Sequence, residues 1–184
     1  MKPQLPGRQP GVCAISIAGL GGQGTVLAGV LLGQAAVAAG RWASQTAVYT
    51  VAARGGLACS EVLVADAPVS CPLAEDLNVV LALATLGLRH EEGRLVPNGL
   101  AILDEGVECS SGKGFRVVAL PLSRLATEAG SRQSANLAAL GALVALAPVV
   151  PADALAGEIQ ARFRRPEPVA AYWAGYEAAG QYRP

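Results

Sequence analysis

An uncharged stretch from residue 11 to residue 40, broken near its centre by Gly19-Leu20-Gly21-Gly22-Gln23-Gly24, constrains this chain more than any other feature. A span that apolar must be buried or sit in a membrane. The glycines fall where a membrane helix or a signal-peptide core needs continuity, so both of those readings fail despite Lys2 and Arg8 upstream. The second uncharged run, residues 135–152, contains Asn136, Pro148 and Pro151 and is too short for a comfortable span. Burial inside a protein is what remains. The run then reads as a β-branched strand at 12–18, a glycine turn, and a helix at 23–39 stopped by Gly40.

The rest of the chain follows the same grammar. Further strands are expected at 42–50, 59–65, 78–83, 99–103 and 116–120. Helices are expected at 86–93, 122–129, 134–147 (with Ser134 as N-cap), 152–163 and 168–179. The pattern predicts an α/β fold: a single Rossmann-like domain over 11–184, with a mostly parallel sheet flanked by helices and a helical C-terminal third. Residues 1–10, with three prolines, read as a mobile lead-in. Charged residues make up 15% of the chain, against about 25% in a typical soluble protein. Net charge is zero, which removes the electrostatic case for nucleic acid or an anionic membrane. Composition also rules out disorder. Cys13, Cys59, Cys71 and Cys109 are scattered, so no zinc or iron–sulfur spacing is written locally. They are expected to be buried or half-buried thiols in a reducing cytoplasm, with no metal assigned.

Gly19, Gly21 and Gly24 meet the G-x-G-x-x-G spacing in a strand–turn–helix setting. Bare backbone there lets an anion approach N–H groups at a positive helix end. The dinucleotide reading also wants an acidic residue about 20 positions on, and none occurs before Glu61. An NADP reading falls back on Arg41 or Arg54 for the 2′-phosphate. Gln23 is open between a contact to a ligand or neighbouring subunit and a solvated helix start. Arg54, ahead of Gly55-Gly56, is open between an anion clamp and a structural ion pair. His90, beside Glu91 and Glu92, is expected in an exposed, charged segment with no orienting partner. No catalytic motif appears, and the only lysines are Lys2 and Lys113. On its residues alone the chain reads as a binding or scaffolding domain without catalytic residues of its own.

Several stretches together resemble the gamma subunit of 2-oxoacid:ferredoxin oxidoreductases. They are Ile17 to Gly24 with Leu27-Ala28-Gly29, Ser44-Gln45-Thr46, Tyr49, Ala53-Arg54-Gly55-Gly56 and Ser60-Glu61-Val62. Ala135-Asn136-Leu137, Leu140-Gly141-Ala142 and Gly175-Tyr176-Glu177 continue the likeness. The Ala-Arg-Gly-Gly form looks most like the 2-oxoglutarate branch. Indolepyruvate oxidoreductase small subunits share the Gly-Gly-Gln-Gly opening and stand as the alternative, beside an independent NADP- or nucleotide-binding domain. The sequence departs from the family where Thr50, Val51 and Ala52 follow Tyr49 in place of Gly-Pro-Glu.

The resemblance implies a cytoplasmic subunit that is inactive alone. Thiamine diphosphate and iron–sulfur clusters would reside in partners: alpha and beta thiamine-binding subunits and a ferredoxin-like subunit. The complex would convert a 2-oxoacid and coenzyme A to acyl-CoA and CO2, reducing ferredoxin. On this chain the resemblance implies a site without catalytic residues, formed by Gly19, Gly21, Gly22, Gln23, Gly24, Arg54, Gly55 and Gly56, with coenzyme A as a candidate shared substrate. Scarce charge then signals surface meant for other subunits, since interface cores are depleted of charge.

Overall fold

The computed structural model describes residues 11–49, 55–69, 71–109 and 114–182. The expected lead-in at 1–10 and the candidate Arg54 lie outside them. Six strands form one sheet: β1 (Val12–Leu20), β2 (Trp42–Tyr49), β3 (Leu57–Ala65), β4 (Leu77–Ala82), β5 (Leu95–Asp104) and β6 (Arg116–Leu120), in the order β2-β3-β1-β4-β5-β6. β1, β4, β5 and β6 pair in parallel, while β3 is antiparallel to both β1 and β2. Five strands therefore point one way and β3 alone runs against them, which fits the expected mostly parallel sheet. One detail departs from a dinucleotide fold: β3 is inserted between β1 and β2, which are neighbours there.

The two faces of the sheet are covered unequally. Ile15, Ile17, Val62, Val64, Val79, Leu81, Leu100 and Ile102 face the main core, which is shared with α1 (Thr25–Ala38), α3 (Leu122–Glu128), α4 (Ala135–Leu146), α5 (Ala152–Phe163) and α6 (Pro166–Gly180). Ala14, Leu63, Val80, Ala82, Ala101 and Leu103 face the other way, toward α2 (Thr85–Glu91) and its Leu88. Alternation along the strands separates the two sets. No described helix is long and apolar enough to cross a membrane.

The uncharged run 135–152 becomes α4, whose residues from Asn136 to Leu146 are all buried. A helix apolar all round must be enclosed on every side. Small residues allow that enclosure. A Cβ on Gly141 would overlap the carbonyl oxygen of Tyr172, and one on Gly175 would overlap that of Ala138, so α4 and α6 cross with backbones touching.

Boundaries shift where local chemistry dictates. α1 starts at Thr25 because Gly24 is left-handed (φ 72°) and cannot belong to a right-handed helix. β5 begins at Leu95, and Pro97 with Asn98 (φ 63°) disturbs its register against β4 before Leu100 restores it. α6 starts at Pro166, since proline is tolerated in a first helical turn. Ser134 holds the N-cap position of α4, yet its hydroxyl pairs with Ser131 Oγ at 2.5 Å and caps nothing. α1 is not buried all round: Val30, Gln34, Val37 and Ala38 are exposed. Cys71 is exposed too, against the expectation for the thiols.

Gly175→Ala should force α4 and α6 apart and cost about 1–3 kcal/mol by overpacking. Differential scanning calorimetry should show Tm falling by roughly 3–10 °C. An unchanged Tm would refute the close crossing.

Candidate functional site

At the carboxyl end of β1 the chain turns through Gly21 and Gly22 (φ 95°) into Gly24, the left-handed N-cap of α1. The first bond within the helix is Ala28 N–H to Gly24 O, at 3.0 Å. The N–H groups of Thr25, Val26 and Leu27 therefore have no acceptor inside the helix. No acidic side chain lies in that first turn. Gly21, Gly22 and Gly55 are exposed, so bare backbone meets solvent beside a positive helix end. A phosphate, a carboxylate or a partner's carbonyl suits such a surface.

The two glycine segments meet directly. Gly21 N–H donates to Gly56 O at 2.8 Å, one step beyond the last β1–β3 pair, Leu20 with Leu57. Six of the expected site residues, Gly19, Gly21, Gly22, Gln23, Gly24 and Gly56, thus come together in one connected turn with Gly55 beside it, and Arg54 lies outside the described residues. Gln23 resolves its open reading in a third way. Its Oε1 accepts from Leu20 N–H at 2.6 Å and its Nε2 donates to Leu83 O at 3.1 Å. The amide holds the loop onto the end of β4. Gly19 is buried, and a Cβ there would lie 2.5 Å from Gln23 Oε1. Gly19 and Gly24 are packing glycines, whereas Gly21 and Gly22 present the surface.

Asn136 belongs to this site and was missed by the sequence reading. Its Nδ2 donates to Gly24 O at 2.9 Å, so the first turn of α4 braces the N-cap of α1. The signal was present in Ala135-Asn136-Leu137, noted there for resemblance alone. The NADP reading loses Arg41. That residue pairs with Asp66 Oδ1 at 3.0 Å and Val149 O at 2.7 Å, at the start of β2 and roughly 25 Å along the sheet from the loop. At the loop end of β2 the described side chains are Val48 and Tyr49.

A second polar group lies on the α2 side of the sheet. Glu91, expected in an exposed segment, is fully buried. Its Oε1 lies 3.0 Å from His90 Nδ1 and its Oε2 accepts from Arg94 Nη1 at 2.9 Å. Arg94 also bonds Glu61 Oε1 at 2.5 Å and Glu61 Oε2 at 3.2 Å. These bonds, Glu61 first, hold the Arg94 guanidinium more firmly charged than usual. Cys59 sits beside them. Burial pushes its thiol up to about 12, the Glu91 carboxylate adds to this, and the Gly19 N–H pulls slightly the other way. The alternation of Cys59-Ser60-Glu61 places Cys59 and Glu61 on one face, a signal legible in the sequence once α2 is known to cover it.

Apolar side chains are exposed along one edge of the molecule. Val30 and Val37 of α1 are exposed, and so are Trp42, Val48 and Tyr49 of β2, the edge strand, where Trp42 and Val48 pair with Ala65 and Cys59 and turn to the α2 face. An open groove of about 500 Å³ between α1 and β2 is lined by Val30, Gly33, Val37, Ala38, Ala43 and Gln45, with Gln34, Ser44 and Glu158 as its polar lining. β2 carries no charge from Trp42 to Tyr49, so it lacks the usual protection of a free edge.

The family model described as pyruvate ferredoxin/flavodoxin oxidoreductase matches residues 14–181. The chain is 30% identical over 146 residues to the 2-oxoglutarate synthase subunit KorC of Methanocaldococcus jannaschii, covering 77% of this chain and 78% of that protein. It is 30% identical over 132 residues to the ketoisovalerate oxidoreductase subunit VorA of Methanothermobacter thermautotrophicus, covering 72% of this chain. The aligned part spans only 28% of that longer VorA protein. Among solved structures, the gamma subunit of a keto/oxoacid ferredoxin oxidoreductase from Geobacter sulfurreducens is similar, with a TM-score of 0.81 and 30% identity. That likeness covers 92% of this chain and 97% of the Geobacter one.

Gln23→Ala should free Leu20 N–H and Leu83 O and cost about 1 kcal/mol. Hydrogen exchange should then rise at Leu20 and Gly21 while the α4 amides keep their protection. Unchanged exchange in the loop would show that Gln23 does not hold it.

Proposed function

Since this chain belongs to the pyruvate ferredoxin/flavodoxin oxidoreductase family, we propose that it serves as the gamma-type subunit of a thiamine-dependent 2-oxoacid:ferredoxin oxidoreductase. The observation that carries this reading is likeness in sequence and fold over nearly the whole of a gamma subunit, joined with two glycine segments that meet at one donor-rich surface. The reaction is a 2-oxoacid, coenzyme A and oxidised ferredoxin going to acyl-CoA, CO2 and reduced ferredoxin, with two electrons leaving the substrate. Thiamine diphosphate and iron–sulfur clusters in alpha, beta and ferredoxin-like partners supply the carbon chemistry and the electron path. The chain works in a reducing cytoplasm, where an exposed Cys71 survives as a thiol.

Residues 11–184 act as one domain whose part is binding and assembly. Gly21 and Gly22 offer backbone without side chains at the positive end of α1, which fits the phosphates or pantetheine amides of coenzyme A. Gly55 and Gly56 extend that surface, and Arg54 adds a guanidinium suited to phosphate. Gln23 and Asn136 position the loop rather than touch ligand. The uncharged edge strand β2, with Trp42, Val48 and Tyr49 outward, suits burial by a partner subunit. Relatives named for 2-oxoglutarate are 30–34% identical and those named for ketoisovalerate 30–31%, too close to choose between them, so the choice of 2-oxoacid rests with the thiamine-binding partners.

The purified chain alone should turn over no 2-oxoacid with ferredoxin. The complex isolated from its native cell should do so, and an assay across 2-oxoglutarate, pyruvate and branched 2-oxoacids names the substrate. Turnover by the chain alone would sink the proposal. Within the complex, Gly22→Val strains a φ of 95° without meeting a neighbour. It should raise KM for coenzyme A about tenfold with kcat little changed, as lost uniform binding does. An unchanged KM would place coenzyme A elsewhere.

A further inference from the structure

Cys59, His90 and Glu91 converge beneath α2 in a way that the subunit's proposed function leaves unused. One ligand atom from each, the thiol sulfur, a ring nitrogen and a carboxylate oxygen, lie within 4.8 Å of one another. Cys59 and Glu91 are fully buried, and the His90 side chain is 44% exposed. We propose that these three side chains bind a divalent transition-metal ion of the zinc type, with solvent at the fourth position on the His90 side. Soft sulfur, imidazole and one carboxylate form a donor set that selects such an ion over magnesium or calcium. Three protein ligands with one open place is a common arrangement for zinc.

Three features point to a cation here. Among the described residues, Glu61 and Glu91 set two carboxylates against one guanidinium, Arg94. With Cys59 as thiolate, the two carboxylates, the guanidinium and a divalent ion sum to zero. Arg94 Nη1 grips Glu91 Oε2 at 2.9 Å and leaves Oε1 on the His90 side, the outer contact that orients a ligating carboxylate. Lastly, Ser16 Oγ is fully buried and without a partner. Ser16 pairs with Glu61 across β1 and β3 and so points to the same face as Glu61 and Cys59. An unpaired buried hydroxyl costs about 1–3 kcal/mol, so this face of the sheet holds polar capacity that its protein partners leave unmet.

Burial without an ion keeps the Cys59 proton on, but a coordinated dication displaces that proton outright. The bound ion joins β3 to the C-terminal turn of α2, directly behind Gly19, the first glycine of the loop. The site stands apart from the oxidoreductase reading, because it needs neither partner subunits nor substrate.

The test is titration of the full chain, stripped with chelator, first with Co2+ and then with Zn2+. One equivalent of Co2+ should give a thiolate-to-metal charge-transfer band together with visible d–d bands, and Zn2+ should bleach both. At metal a hundredfold above Kd, Tm should rise by roughly 5–10 °C. Cys71→Ser, which removes the exposed thiol, should leave the band intact, whereas Cys59→Ser should abolish it. His90→Ala changes a half-exposed side chain, so the protein stays folded, and it should weaken Co2+ binding at least about tenfold. Absence of the band in the unmodified chain overturns the proposal. So does a band lost in Cys71→Ser but kept in Cys59→Ser, or unaltered affinity in His90→Ala.

Discussion

The pairing of β1 with β3 is the contact on which the remaining architecture depends. It runs unbroken from Val12 opposite Ala65 to Leu20 opposite Leu57, and Gly21 N–H to Gly56 O extends it by one step. Because β3 is antiparallel, its first residues arrive at the same end of the sheet as the last residues of β1. That brings together two glycine segments about thirty residues apart in sequence. The same register decides what lies on each face. Ser60 turns toward α1 and meets Gln45 Nε2 at 2.8 Å, while Cys59 and Glu61 turn toward α2. Slipping the pairing by one residue would bury Ser60 against α2 and drive Glu61 into the apolar core, so the register is strongly specified.

A chain so short of charge spends several of its ionised groups inside. Glu61 and Glu91 are buried and share Arg94, which also donates to the carbonyl of Ala74 and so fastens the segment before β4. Asp104, buried at the end of β5, accepts from Ser123 N–H at 3.1 Å and from the Ser123 hydroxyl. It thereby caps α3 from outside the helix, where Pro121 at the N-cap provides no side-chain bond. In both places a carboxylate joins elements far apart in sequence, and removing one partner would strand a charge. The buried carboxylates Glu61, Glu91 and Asp104 all sit at junctions between elements.

Much of the fold was legible beforehand because its two periodicities are clean. All six strands and all six helices fall where apolar pattern and turn residues put them, with α5 and β6 matching at both ends. What escaped has specific causes. The insertion of β3 between β1 and β2 is a long-range pairing, and no local pattern encodes which neighbour a strand chooses. The burial of Glu91 could not be read from a His-Glu-Glu run, because it depends on Arg94 folding back from the 3-10 turn at Glu92–Arg94. In the site, the glycines were readable as backbone that must lie bare. Their division into packing and presenting residues was not, because it depends on the Gln23 amide bonding Leu83 O, sixty residues away. Asn136 escaped for the same reason: its partner is a backbone carbonyl at Gly24.

The division of surface supports a subunit more than a self-contained enzyme. The helical side is closed by α3 to α6, with Asp153, Arg162 and Arg164 exposed on it. The glycine surface, the uncharged β2 edge and the outward apolar face of α1 lie on adjoining elements. An edge strand with neither charge nor proline is an invitation to pair, and natural proteins leave such edges open mainly where something covers them. Trp42, Val48 and Tyr49 would each lose favourable burial if left in water, at about 25 cal/mol per Å² of apolar area. Of these, Val48 and Tyr49 lie at the loop end of β2, opposite Cys59 and Ala58. Docking a partner along that edge would seat it beside Gly21, Gly22 and Gly55. The surface that assembly buries and the surface that meets ligand would then be neighbours along one strand.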